Sequence, residues 1–308
     1  MPLDPEVAAL LERQKSLPLR SSLDVAATRE MIRRAGALAG EPRTLPRVED
    51  IQLPASLRAR QYWPTMDDGQ PMVVYFHGGR FFSGDLESHD ALCRLLAIEA
   101  GCRVIAVDYR LAPEHCFPAA VEDACRAVEW VSRQGVPVGV AGDSAGANLA
   151  AVAALAHRAS GLGCQVLIYP MLDPMCSSPS YAGYADGYGP AATDMKRGWS
   201  LYLPEGSDPR DPRASPLWAG DTTGVAPAFV VTAEYDTLRD EGEAYARKLI
   251  EAGNAVQVRR YLGAVHGFFT MPGTLRLARE ALKDVAGFLR HRLRRVATAD
   301  SPDGKGTP

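Results

Sequence analysis

A serine with a glycine two positions before it and another two positions after it is the feature of this sequence best suited to chemistry. The segment Gly142-Asp143-Ser144-Ala145-Gly146 follows an apolar run and precedes a helical run. In such a strand–turn–helix unit the turn at the serine is so tight that flanking side chains would clash, which explains both glycines. The start of the following helix directs backbone N–H groups and a positive dipole end at a developing oxyanion. We therefore predict Ser144 as a nucleophile.

A second glycine-rich segment, His77-Gly78-Gly79-Arg80, follows another apolar run. Adjacent glycines let backbone N–H groups turn toward a carbonyl oxygen without interference from a Cβ. Beside a nucleophilic serine, such a loop shares the oxyanion with the amide of the residue that follows the serine. The predicted oxyanion donors are Gly78, Gly79, Arg80 and Ala145.

A serine hydroxyl needs a base, and in the chain order Ser–acid–His that base lies downstream of the nucleophile. Three histidines follow Ser144. His157 falls within the next helical run, and His291 lies in a basic terminal helix. His266 follows an apolar run in a loop where Gly267 comes next, and it is the predicted base.

The acid that orients this histidine is predicted to be Asp236, which comes just after an apolar run. Ligands and catalytic groups gather at the carboxyl ends of the strands in parallel sheets. Asp240 and Glu241 are alternatives that fall inside the following helix, and Glu234 lies nearer the strand. Asp143 is excluded because it is fixed beside the serine.

The elements that must position these residues alternate along the chain. Strand candidates are 72–76, 103–107, 136–141, 165–169, 228–232 and 256–261, and helix candidates are 88–100, 119–132, 145–159, 238–252 and 274–293. Strands that alternate with helices predict parallel β-α-β units with helices on both faces of the sheet, an α/β fold.

Two stretches break this alternation. The residues before about 45 are predicted to be helical, with Asp4 as the cap of a first helix and 23–38 as a second. A long insertion at about 174–224 is rich in Pro, Gly, Ser, Tyr and Trp, with a helical part near 193–203. Insertions of this length are usually lids or binding loops.

Composition limits the function classes. The 308 residues suit one large domain with additional segments, and the net charge of −3 gives no field for nucleic acid or an anionic membrane. No apolar run approaches the roughly 18 residues needed to span a bilayer. Acids in the first six residues do not fit a signal peptide, so we expect a cytoplasmic protein. Six cysteines without a C-x-x-C pair and six scattered histidines indicate no metal site, and no cofactor is expected.

Six motifs together resemble the signature blocks of the hormone-sensitive-lipase-like carboxylesterases, the bacterial α/β hydrolases often called family IV. They are His77-Gly78-Gly79, Tyr109-Arg110-Leu111-Ala112-Pro113-Glu114, Gly142-Asp143-Ser144-Ala145-Gly146, Asp211-Pro212-Arg213-Ala214-Ser215-Pro216-Leu217, Asp236-Thr237-Leu238-Arg239-Asp240-Glu241-Gly242 and His266-Gly267-Phe268. The resemblance covers nearly the whole chain beyond the first forty or so residues. It implies the α/β-hydrolase fold, with an eight-stranded, mostly parallel sheet flanked by helices and covered by a helical cap.

The resemblance also implies a domain organisation and an activity. The cap would comprise residues 1–46 and the insertion at about 174–224, the catalytic domain 47–296, and a disordered tail 297–308. Ser144 would be the nucleophile, His266 the base and then the acid, and Asp236 the orienting carboxylate. The implied substrates are small-molecule carboxylic esters with short to medium acyl chains. Many relatives form dimers, so a homodimer is compatible with the resemblance.

One position departs from the family pattern, because Arg80 replaces the usual third glycine of the loop. Its N–H can still donate if the backbone dihedrals allow. We expect the side chain to fold outward onto a carboxylate such as Asp85 or Glu87. The alternative is that it borders the pocket or the cap and narrows or charges the entrance.

The substrate pocket is predicted to have apolar, aromatic walls, which suit an uncharged ester. The candidate lining residues are Phe81, Phe82, Tyr184, Trp199, Phe268 and Phe269.

Two other functions stay open. The fold also includes non-catalytic ligand-binding receptors, which typically lose a member of the triad. An amidase or an acyltransferase would use the same triad, and the fold does not separate these reactions.

Overall fold

The computed structural model of the chain describes residues 2–15 and 22–299, with side chains described as far as residue 294. Of the predicted tail, residues 300–308 lie outside the described residues. The three residues before them belong to the terminal helix Arg276–Ala299, and the disordered tail stays a prediction.

An eight-stranded sheet forms the centre of the molecule, with the strand order β1-β2-β4-β3-β5-β6-β7-β8. The strands are β1 Arg47–Leu53, β2 Leu57–Trp63, β3 Met72–Phe76, β4 Arg103–Val107, β5 Val138–Asp143, β6 Cys164–Ile168, β7 Ala228–Tyr235 and β8 Val256–Val265. The pairs β1–β2 and β2–β4 are antiparallel and the other pairs are parallel. The prediction of a mostly parallel, eight-stranded α/β-hydrolase sheet is confirmed.

Helices cover both faces of this sheet. They are α1 Pro5–Gln14, α2 Val25–Ala35, α3 Leu86–Ala100, α4 Ala119–Ser132, α5 Ala145–Ala156, α6 Pro179–Gly183, α7 Ala192–Tyr202, α8 Arg239–Glu251 and α9 Arg276–Ala299. Helices α3 and α9 share one buried apolar cluster with the sheet, and α4, α5 and α8 share the cluster on the other face. All residues of β3, β4 and β6 are buried, as strands covered on both faces require.

The segments outside the alternation are helical where the structure describes them. Asp4 caps α1 by accepting the N–H of Glu6 at 2.9 Å, and Asp24 caps α2. Helices α6 and α7 lie in the insertion. The division into a cap and a catalytic domain stays a prediction. None of the helices in the described part of the chain is long and apolar enough to cross a membrane.

Candidate active site

Ser144 sits on the tight turn between β5 and α5. Its φ of 55° and ψ of −117° lie in a region that residues with a side chain rarely adopt. A Cβ on Gly146 would lie 1.9 Å from the carbonyl oxygen of Phe76, and one on Gly142 would lie 2.4 Å from the Gly146 backbone. Gly146 is therefore required by the close approach of β3, and Gly142 by the tightness of the turn itself.

The structure brings the predicted nucleophile, base and acid into one hydrogen-bonded series. His266 Nε2 lies 3.0 Å from Ser144 Oγ, and His266 Nδ1 lies 2.8 Å from Asp236 Oδ2. The other oxygen of Asp236 accepts the backbone N–H of Leu238 at 2.8 Å, which fixes the carboxylate. All three side chains are buried. A carboxylate on Nδ1 leaves the Nε2 lone pair directed at the serine hydroxyl.

The rival carboxylates have other partners. Asp240 accepts the backbone N–H of Ser180, and Glu241 accepts that of Leu172. Glu234 accepts the N–H of Gly263.

The rival bases lie apart from the serine hydroxyl. His157 comes directly after α5 and contacts the carbonyl oxygen of Ala153, and His291 is exposed on α9.

Gly78 does not have the donor role that we predicted. Its N–H donates to Asp143 Oδ1 at 3.0 Å, so this amide is already bonded to the residue that precedes the nucleophile. The remaining candidates are Gly79, Arg80 and Ala145. Within the described residues the amides of Gly79 and Ala145 make no hydrogen bond to the chain, and Arg80 has a φ of 57°, which places its backbone in the left-handed region.

Asp143 joins the nucleophile turn to the glycine loop. Its Oδ1 accepts from the Tyr75 hydroxyl at 2.8 Å and lies 3.3 Å from His89 Nε2, in addition to the Gly78 contact. Burial alone would raise the pKa of this carboxyl, but the contacts with His89 and the Tyr75 hydroxyl outweigh burial and hold the pKa below its ordinary value. Asp143 is therefore a buried acceptor for several donors rather than a base.

A cavity of about 110 Å³ opens onto Ser144 and His266. Its walls come from the glycine loop, the nucleophile turn and α3. Helices α2 and α7, which belong to the two segments predicted to form the cap, complete them. Apolar contributions include Ile32 of α2 and Met195 of α7. Sequence reasoning missed these two, although both lie in the stretches predicted to form a cap.

None of the six predicted pocket aromatics lines this cavity. Phe81 is fully buried and stacks on Tyr202 of α7 at 3.9 Å between ring centroids, and Trp199 packs against the Phe81 ring at 5.1 Å. Phe82 is also fully buried. The backbone turn at residues 80 and 81, where φ is positive, sends these side chains under α7 instead of into the cavity.

The other three aromatics also point elsewhere. Phe268 packs against Tyr169 at 5.9 Å, and Phe269 is fully buried in the same apolar cluster. Tyr184 lies 5.5 Å from the ring of Tyr235. Adjacency to a catalytic residue in sequence did not predict the direction of these side chains.

Arg80 does not fold outward onto Asp85 or Glu87, so that expectation is wrong. The side chain is 6% exposed, and Nη1 lies 3.7 Å from Asp194 Oδ1 of α7. Asp85 instead pairs with Arg33 at 2.7 Å. Arg80 borders both the cavity and α7, as the alternative interpretation required.

The known proteins that resemble this chain are esterases or other ester hydrolases of one fold. Residues 73–270 match a family model whose description is alpha/beta hydrolase fold. An ethyl acetate hydrolase of Pseudomonas putida is 35% identical over 95% of this chain and its own full length. The carboxylic ester hydrolase LipN of Mycobacterium tuberculosis is 39% identical over 80% of this chain and 71% of its own. The solved hyperthermophilic esterase of the archaeon Pyrobaculum calidifontis is 41% identical and superposes with a TM-score of 0.88 over 94% of this chain and 99% of its own.

Proposed function

The chain belongs to the hormone-sensitive-lipase-like carboxylesterases of the α/β-hydrolase fold and is a carboxylic-ester hydrolase, and we propose that it works through an acyl-enzyme formed on Ser144. The observation that carries the proposal is the unbroken series from Asp236 through His266 to the Ser144 hydroxyl. A positioned base and an orienting carboxylate are what a serine hydroxyl needs to attack at neutral pH.

In the proposed reaction His266 Nε2 takes the proton of Ser144 as its oxygen attacks the ester carbonyl carbon. The imidazolium is stabilised by Asp236 and then gives its proton to the departing alcohol. His266 then takes a proton from water as the water oxygen attacks the acyl carbon. It returns that proton to Ser144 Oγ as the bond between Oγ and the acyl carbon breaks and the carboxylic acid leaves. The amides of Gly79, Arg80 and Ala145 are the proposed donors to the tetrahedral oxyanion.

The small cavity with Ile32 and Met195 on its walls supports neutral esters with short to medium acyl chains as the substrates. The cytoplasmic location and the homodimer also stay predictions.

The test is the turnover of a chromogenic short-chain ester by the Ser144→Ala variant. We expect a loss of at least about a thousandfold, the scale seen when a triad nucleophile is removed. Full retention of turnover would refute the role of Ser144. Matched ester and amide substrates separate the esterase from an amidase, and added alcohol reports acyl transfer.

A further inference from the structure

The loop segment Arg80–Phe82 lies directly under α7. The Cβ that an alanine would carry at Gly198 of α7 would be 2.7 Å from Arg80 Cβ and 3.1 Å from the Arg80 carbonyl oxygen. Helix α7 therefore contacts the backbone of the loop itself at a position where only glycine fits. One helical turn earlier on the same face, Asp194 lies 3.7 Å from the Arg80 guanidinium.

The next two residues of the loop, Phe81 and Phe82, contact helices of both predicted cap segments, α2 and α7. The Phe82 ring lies 5.0 Å from the guanidinium of Arg80 and 5.5 Å from that of Arg197 on α7. The carbonyl oxygen of Phe82 accepts from Arg29 Nε of α2 at 2.9 Å. The stacking of Phe81 on Tyr202 adds an apolar contact to α7. Every residue from 80 to 82 thus contacts the predicted cap.

The same segment carries a proposed oxyanion donor. The N–H of Arg80 belongs to the backbone that α7 contacts, and Gly79 precedes it. A shift of α7 relative to the sheet must therefore move these amides relative to Ser144. Such shifts matter because oxyanion donors act only within a narrow range of distances, and displacements near 1 Å can cost about a hundredfold in rate.

We propose that Arg80 is a positioning residue, and that its ion pair with Asp194 transmits the position of helix α7 to the amides of the oxyanion loop. The proposal rests on the proposed acyl-enzyme function of Ser144. It gives a role to the arginine that replaces the usual glycine. Through this ion pair, the position of α7 affects the rate of the chemical step, in addition to the helix lining the cavity.

The test compares three variants, Arg80→Gln, Asp194→Asn and the double variant, by kcat, KM and melting temperature on a short chromogenic ester. An asparagine at 194 keeps an acceptor for the N–H of Ala191, which Asp194 Oδ2 accepts at 2.9 Å. Each single variant removes one charge of a buried ion pair and should melt at a lower temperature. The double variant removes both charges and should recover much of that loss.

The kinetic expectation differs from the stability expectation. We expect each single variant and the double variant to lose kcat by about tenfold with KM within about twofold, and the two losses not to add, as for residues that act through one contact. The conservative Arg80→Lys should regain part of the kcat. Lys196→Gln, an exposed charge change on the same helix, should keep wild-type kcat.

Two results would overturn the proposal. One is a kcat that recovers in the double variant together with its melting temperature, which would assign Arg80 a purely structural role. The other is wild-type kcat in all three variants. If Ser144→Ala is inactive while these variants turn over normally, the coupling fails and the proposed function stands. If Ser144→Ala keeps full turnover, the proposed function itself fails.

Discussion

The backbone N–H of Gly78 donates to the carboxylate of Asp143 at 3.0 Å, so the residue that precedes the nucleophile holds the loop that follows β3. This contact joins two motifs that are far apart in sequence. It explains why an acid at position 143 is useful although it takes no part in the series Asp236–His266–Ser144. The nucleophile turn and the proposed oxyanion loop are thereby fixed to each other before substrate binds.

Removal of the Asp143 carboxylate should lower kcat more than it changes KM. In Asp143→Ala the N–H of Gly78 and the hydroxyl of Tyr75 lose a buried acceptor, at a cost of about 1–3 kcal/mol for each unmade bond. We expect a kcat about ten- to a hundredfold lower, and a smaller loss in Asp143→Asn, which keeps an acceptor oxygen. Steady-state kinetics on a chromogenic ester measure both. An Asp143→Ala variant with wild-type kcat would contradict this role of Asp143.

Substitution of Gly146 by alanine should disrupt the fold. The added Cβ would lie 1.9 Å from the carbonyl oxygen of Phe76. Because that oxygen belongs to the backbone of β3, it cannot move away without distorting the strand. We expect a loss of about 3 kcal/mol or more in the free energy of unfolding, the upper end of overpacking effects. The matched control is Gly183→Ala, a helical position where a Cβ meets nothing within 4 Å. Equal stability of the two variants in urea unfolding would show that the turn has room for a side chain at position 146.

His77 should make the protein less stable at mildly acidic pH. Its Nδ1 lies 2.8 Å from the carbonyl oxygen of Gly78, so Nδ1 carries the proton of the neutral ring. Burial, aided by His89, lowers the pKa of His77 to about 4. The unfolded chain, with a histidine pKa near 6.5, binds the proton first, so stability falls as pH drops from about 6.5 to about 4.

The expected contribution of His77 is about 2 kcal/mol of unfolding free energy lost between pH 7 and pH 5. Urea unfolding at the two pH values should show this loss in the wild type and a correspondingly smaller one in His77→Gln. His291→Gln, which removes an exposed histidine, is the control and should behave as the wild type. Identical pH dependence in the wild type and His77→Gln would rule out a buried neutral His77.

Replacement of a cavity-lining side chain by alanine should change the preference of the enzyme for acyl-chain length. Ile32→Ala or Met195→Ala enlarges the space beside Ser144. We expect kcat/KM for longer p-nitrophenyl esters to rise about tenfold relative to the acetate, the scale of one well-accommodated methylene group. Tyr184→Phe should leave the profile unchanged, because Tyr184 does not line the cavity. An altered profile for Tyr184→Phe with none for Ile32→Ala would favour the aromatic pocket that the sequence predicts.

The central strands could be predicted from sequence because they are short runs made up mostly of apolar residues. Candidates 72–76 and 103–107 match β3 and β4 residue for residue. Strands β1 and β2 lack that signal, since they lie at the antiparallel edge and carry charged side chains such as Glu49 and Arg58. Their presence followed only from the family resemblance.

The sequence predicted the site residues whose type is dictated by local backbone geometry. It did not predict the side-chain directions that depend on contacts between segments far apart in the chain. The Gly142 and Gly146 positions follow from a turn that no other residue fits. The direction of Arg80 depends on Asp194, far along the chain, and the direction of Phe81 depends on a backbone with φ of 65°. Neither has a signature in the neighbouring sequence.

The most direct test of the proposed acyl-enzyme is covalent labelling with an organophosphonate, followed by peptide mass spectrometry. The oxygen of an activated serine displaces the leaving group of the phosphonate and stays bonded to phosphorus, as it would stay bonded to the acyl carbon before hydrolysis. We predict one phosphonyl group per chain, located on Ser144, loss of ester turnover in proportion to labelling, and labelling slowed by orders of magnitude in His266→Ala. An enzyme that keeps full turnover with Ser144 unlabelled, or that carries the label on another residue as its activity disappears, would contradict the account.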